Sequence, residues 1–167
     1  MKTLIAVCLA ASLPALAQDP ALAEMKKHWA TSRTFSMAVA DAMPDANYGF
    51  KAAPEEMSFG EMVVHIATSN GYFCSGGPGS PTKSPITAPA PINKASAMKV
   101  LAQSFDYCLE MTGGLKPSDL NMMVGPEGRK SSVRDLLWGG ITHTAHHRAQ
   151  LEVYLRVKGI KPPDYQF

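Results

Sequence analysis

Apolar residues recur along this chain at steps of three and four, the spacing that gathers them on one face of an α-helix. The first stripe, Leu22, Met25, Trp29, Ser32, Ser36, Val39 and Met43, is mostly apolar. It follows Asp19 and Pro20, an acceptor for the N-cap and a proline for the first helical position. The run "PDANYGFKAAPEE" at 44–56 interrupts the pattern. A second helix is predicted to open at Ser58, where a serine followed three residues later by Glu61 makes a capping box. Phe59, Met62, Val63, Ile66 and Phe73 form its inward face, with His65 at the edge of that stripe. A third helix covers about residues 93–112, with Met98, Leu101, Phe105 and Cys108 on one face. The fourth and longest starts at Ser132 and ends at Gly159, where Arg156 and Lys158 suit the negative end of the helix dipole and "IKPPD" blocks continuation. No strand pattern of any strength competes. Four amphipathic helices in one chain predict an all-α fold, a four-helix bundle.

Between the second and third helices, "SGGPGSPTKSPITAPAPI" at 75–92 holds five prolines and is neither helix nor central strand. An unstructured stretch of this length inside a small domain needs a purpose. Extended at about 3 Å per residue, it is long enough to travel the length of a helix and start the next one from the far end. The two flanking helices then run parallel, with Cys74 at the end of one and Cys108 near the end of the other. The pair is a disulfide candidate, with two buried free thiols as the alternative, and the crossover and the disulfide support each other.

Composition fits that picture. At 167 residues the chain is one domain in size, and 46% hydrophobic with 18% charged residues excludes disorder as its main state. A net charge of +2, with basic residues scattered, argues against nucleic acid as a partner. The first residues, "MKTLIAVCLAASLPALAQDP", have the parts of a secretory signal: Lys2, an apolar stretch from 4 to 13, and a small-x-small site at Ala15, Leu16 and Ala17. Its apolar run is too short to span a bilayer. The expected organisation is a signal peptide over 1–17 and a bundle domain over 18–167, exported to the periplasm or the extracellular space, with no membrane association after cleavage. An oxidising compartment also favours the Cys74–Cys108 pair.

The candidate chemistry lies in "HTAHHRAQ" at 143–150. On the fourth helix the inward stripe reads Val133, Leu136, Gly140, His143, His147, Leu151 and Tyr154, so His143 and His147 stand one turn apart on one face. Buried imidazoles without partners lose their hydrogen bonds to water, and a divalent ion shared between them removes that cost. An HxxxH spacing alone is a weak sign. His65, near the core edge of another helix, could supply a third ligand. Three nitrogens with other positions open is the pattern of a catalytic rather than a structural site. His146 falls off the stripe and reads as flanking, and His28 reads as a surface residue. Glu61, one turn before His65, could act as general base, although the capping box already accounts for it. Arg148 and Gln150 point away from the centre of the stripe, toward a substrate anion or toward solvent.

"HTAHHRAQLEVYLRVKGIKPPDY" closely resembles the terminal helix of the DinB-like superfamily, and "MPDANYGFKAAPEEMSFGEMVVHIATSNGYF" resembles that family's segment around its first metal histidine. Ala149 stands where glycine is common in the family. The resemblance spans nearly all of the domain and implies an up-down-down-up bundle with a long connection between helices two and three. It also implies a divalent metal, zinc or nickel most often, at His65, His143 and His147, and frequent homodimers. Its known activities are thiol-dependent transfer and isomerisation, with many members regarded as metal-dependent hydrolases. A three-histidine metal can lower the pKa of bound water to about 7 and so activate it, or can hold a thiolate. Export favours water, since the thiols used by the transferases are cytoplasmic. The sequence therefore predicts a metal-dependent hydrolase of a small-molecule substrate. Its alternatives are a metal-dependent thiol S-transferase and a non-catalytic metal- or ligand-binding bundle.

Overall fold

The computed structural model describes residues 20–77 and 82–166. The expected signal segment, the Asp19 cap and residues 78–81 of the crossover lie outside the described residues. Four long helices make up the fold: α1 Pro20–Ala42, α2 Phe59–Cys74, α3 Lys94–Gly113 and α4 Val133–Val157. Each start has a local cause. At α2, the Ser58 hydroxyl accepts from Glu61 N while the Glu61 carboxylate accepts from Ser58 N, which completes the capping box read from sequence. Asn93 and Ser96 make the same reciprocal pair at α3, and the Ser132 hydroxyl caps α4 by accepting from Asp135 N. Gly159, at φ +73°, takes the left-handed conformation that ends α4.

Contacts fix the direction of every helix. α1 runs beside α4 in the same sense: Trp29 meets Gly140, and further along both helices Phe35 meets Arg148. α1 opposes α3, with Arg33 paired to Asp106 at 2.9 Å and, at the other end, Lys94 paired to Asp41 at 2.9 Å. α2 opposes α4, because the Tyr154 hydroxyl near the end of α4 donates to Met57 O just before α2. α2 and α3 are parallel, joined near their C-terminal ends by the Cys74–Cys108 disulfide with a Cα–Cα distance of 5.3 Å. The order is up-down-down-up, and each of α1 and α2 packs on both α3 and α4.

The crossover performs the traverse its length permits. It passes close over α2, where Ser84 and Ile86 lie against Gly71 so tightly that a Cβ there would come within 2.8 Å of Ile86 Cβ. It then delivers the start of α3 to the α1–α2 connection, and Lys94 N donates to Asp45 Oδ1 at 2.9 Å. Trp29, Phe35, Phe59, Phe105, Ile66, Leu101 and Leu151 are fully buried between the helices. The predicted stripe of α1 is buried throughout. One small element escaped the periodicity: Met123–Val124 and Ser131–Ser132 pair antiparallel around a turn in which Gly125 and Gly128 have positive φ. Two residues per strand are too few to show alternation. Among the described residues, no helix is long and apolar enough to cross a membrane.

Candidate metal centre

α2 presents His65 and α4 presents His143 and His147 to one another across the antiparallel α2–α4 contact. Close approach there is set by small residues: Gly140 has the Phe73 side chain of α2 on one side and the Trp29 indole of α1 on the other, each about 3 Å from where a Cβ would stand. His65 Nε2 lies 3.2 Å from His143 Nε2 and 3.1 Å from His147 Nε2. One ring nitrogen from each of the three falls within 4.8 Å of the others.

Hydrogen bonding between the rings does not explain this cluster. His147 Nδ1 sits 2.7 Å from Gln150 Oε1. An amide oxygen only accepts, so His147 Nδ1 carries the proton and, in the neutral ring, its Nε2 holds a lone pair. His65 Nε2 then faces that lone pair and His143 Nε2 at once, and one N–H cannot point well at both. A cationic ring is no remedy. Burial first, then the neighbouring histidines, pulls His143 down to about 4, and burial and His147 pull His65 down as well. A divalent ion meets all three lone pairs together. Nitrogens bound to one ion at about 2.0–2.1 Å in tetrahedral array lie about 3.3 Å apart, close to the two separations found. The donor set is all imidazole, which suits zinc, nickel and similar borderline ions. The residues present therefore fit a metal.

The surroundings differ in part from the sequence expectation. All three histidines are half-buried, not sunk in the middle of a buried row. The buried row of α4 is Gly140, Thr144, Arg148, Leu151 and Leu155, displaced by one residue from the expected stripe at its centre. α4 meets α1 on one side and α2 on the other, so its deepest line bisects the two contacts and the histidines occupy the α2 flank. Arg148 is accordingly buried, at 9% exposure, instead of pointing outward. His146 is exposed, as expected, its ring edge-on to His147 at 4.8 Å. His28 packs its ring on Trp138 at 5.4 Å.

Glu61 is exposed and engaged in the cap, where its Oε2 accepts from Ser58 N at 2.7 Å. That bond, and next the one with the Ser58 hydroxyl, hold its carboxyl below the ordinary 4.5 against a smaller effect of burial. His143 Nδ1 is buried without a partner among the described residues. Gln150, expected to point away from the stripe toward a substrate anion or solvent, instead turns back on His147 and fixes that ring's tautomer, and the i, i+3 spacing on one helix was the available signal. Asn70 is buried in the bundle centre; its Nδ2 donates to Ser104 at 3.2 Å and its Oδ1 accepts from Thr144 at 2.8 Å, tying α2, α3 and α4 together. Nothing in the sequence singles it out.

The model of a family described as the DinB superfamily matches residues 28–151, a span that includes all three histidines and Gln150. Solved structures agree. A DinB-like protein from Bacillus subtilis is 25% identical and superposes with a TM-score of 0.70, covering 86% of this chain and 97% of that one. A DinB-like protein from Bacillus cereus, at 21% identity and TM-score 0.70, covers 85% of this chain and 95% of its own, and shows the same fold. No curated protein matches the chain.

Proposed function

The chain belongs to the DinB superfamily, and on that premise we propose that it is a metal-dependent hydrolase whose zinc or nickel ion is held by His65, His143 and His147. The convergence of three Nε2 atoms from two helices, at 3.1 and 3.2 Å, carries this reading. Bound there, a divalent ion would act as a Lewis acid on a carbonyl or phosphoryl oxygen and bring the pKa of water to about 7. Three protein ligands leave further positions for water and substrate, as catalytic sites do.

The chain's own residues do the rest by positioning. The Gln150 amide oxygen keeps the His147 proton on Nδ1 and leaves Nε2 free to ligate. The burial that lowers His65 and His143 keeps both rings neutral, the form that binds metal, at any pH near 7. Glu61 is left to the cap, since a carboxyl held below its ordinary range is a weak proton acceptor. The Cys74–Cys108 disulfide fits export to an oxidising compartment. Water is plentiful there and the low-molecular-weight thiols of the cytoplasm are not, which favours hydrolysis over thiol transfer.

Zinc- or nickel-loaded protein and its His65→Ala variant should be assayed on a panel of activated esters, amides, lactones and phosphoesters, with and without added glutathione. Hydrolysis by the loaded protein, absent in the variant, is the expected result. Turnover that requires the thiol would replace the hydrolase reading with the transferase one. A metal-loaded protein inert to the whole panel would leave a binding bundle.

A further inference from the structure

We propose that the cleft between α1 and α4 around Arg148 binds a small organic carboxylate, at a site separate from the histidine centre. Arg148 follows His147 and so projects about 100° around α4, toward α1 instead of α2. Its side chain is 9% exposed, and its guanidinium carbon lies 4.3 Å from the centre of the Phe35 ring. That stacking covers one face of the guanidinium plane and leaves its in-plane N–H groups to be satisfied. Among the described residues its Nε is buried without a hydrogen-bond partner, and the side chain forms no ion pair. Glu152, one turn further on, is paired with Arg156 at 3.7 Å instead.

A second orphan belongs to a residue in the same lining. Ser32 of α1 is 5% exposed and its hydroxyl also lacks a partner. Both side chains line one cavity of about 210 Å³, together with Thr31, Trp138, Ile141 and Tyr165. At about 30 Å³ per water molecule, this is room for a ligand of several heavy atoms. A fold with no use for the charge would be better served by a hydrophobic residue of similar volume, because burying a guanidinium is costly and the nearby Glu152 carboxylate offsets that cost only in part.

The lining selects the ligand. One guanidinium presents a planar fork that matches a carboxylate in two parallel hydrogen bonds. The Ser32 and Thr31 hydroxyls offer further donors, and Trp138, Ile141 and Tyr165 offer an apolar wall for the body of the molecule. No second permanently charged cation lines the cavity, so a dianion such as phosphate would bring in a charge that nothing offsets.

Benzoate is a suitable probe, with benzamide as its neutral isostere and inorganic phosphate as the competing anion. Binding would be followed by calorimetry and by the indole N–H resonance of Trp138, in the wild type, Arg148→Met, Arg148→Lys and His65→Ala. The wild type should bind benzoate saturably, with the Trp138 signal shifting. Benzamide and Arg148→Met should each bind at least about tenfold more weakly, Arg148→Lys should fall between, and His65→Ala should bind as the wild type does. Equal binding of benzamide, or of benzoate by Arg148→Met, would overturn the proposal. So would phosphate binding more tightly than benzoate, loss of benzoate binding in His65→Ala, or no binding to the wild type. Should Arg148→Met fail to fold, the isostere comparison and Arg148→Lys decide the question alone. Because His65→Ala disables the metal centre and leaves this cleft intact, failure here and failure of the hydrolase reading are separable.

Discussion

At the scale of single residues, the histidines were legible because their chemistry is rare and their spacing periodic, whereas their setting was not. A stripe drawn from steps of three and four cannot tell which of two adjacent rows lies deepest when a helix touches two neighbours, and α4 touches both α1 and α2. That ambiguity put Arg148 outside when it is inside. Gln150 was visible but uninterpretable, since its role depends on a ring orientation that only the fold sets. Gln150→Ala should weaken metal binding by about 10–100-fold without changing the number of ions bound at saturation, checked by competition with a chromophoric chelator. An unchanged affinity would mean that the His147 tautomer needs no such support. Glu61 makes a prediction of a different kind. Its folded-state pKa lies below the ordinary 4.5, so its contribution to stability is present above that value and disappears as pH falls through the folded value. Glu61→Gln keeps an acceptor for the Ser58 amide but does not titrate. Its melting temperature should vary less with pH than the wild type's below about 4.5, with metal content unaltered. Loss of hydrolysis in this variant at full metal occupancy would return Glu61 to a catalytic role.

At the scale of elements, start signals were the most readable feature. Ser58 with Glu61 and the Ser132 cap operate as local rules dictate, since capping depends on neighbours within one turn. The Pro-rich connection was readable as a traverse through its length and prolines, and the disulfide, a candidate beside two free thiols, agreed with the parallel helices it implies. Where the strap touches down on α2 was not readable, because Gly71 looks like any helical glycine. In an exposed helix, alanine at such a position gains about 1 kcal/mol over glycine. Here the added Cβ would meet Ser84 and Ile86, and the sign reverses. Gly71→Ala should lose about 1–3 kcal/mol of stability in urea denaturation. A stabilised variant would mean that the strap moves aside at little cost and does not fix the packing of α2.

For the whole molecule, the architecture was the best-specified level: four stripes predict a bundle, the long crossover sets the second and third helices parallel, and the family resemblance implies the up-down-down-up order. The functional arrangement follows from that topology: antiparallel α2 and α4 bring a histidine from early in the chain to a pair near its end. The 34-residue separation closed by Cys74 and Cys108 encloses the whole crossover. Its removal by Cys74→Ser with Cys108→Ser should lower stability by about 2–4 kcal/mol, seen as a lower midpoint in chemical denaturation. An unshifted midpoint would mean that the crossover is held by packing alone. The account as a whole turns on the metal. Elemental analysis of the purified protein beside His65→Ala, after loading and desalting, tests that directly. About one zinc or nickel ion per chain in the wild type, and a small fraction of that in the variant, is the result the geometry predicts. No metal in the wild type, or an equal amount in both, would contradict it.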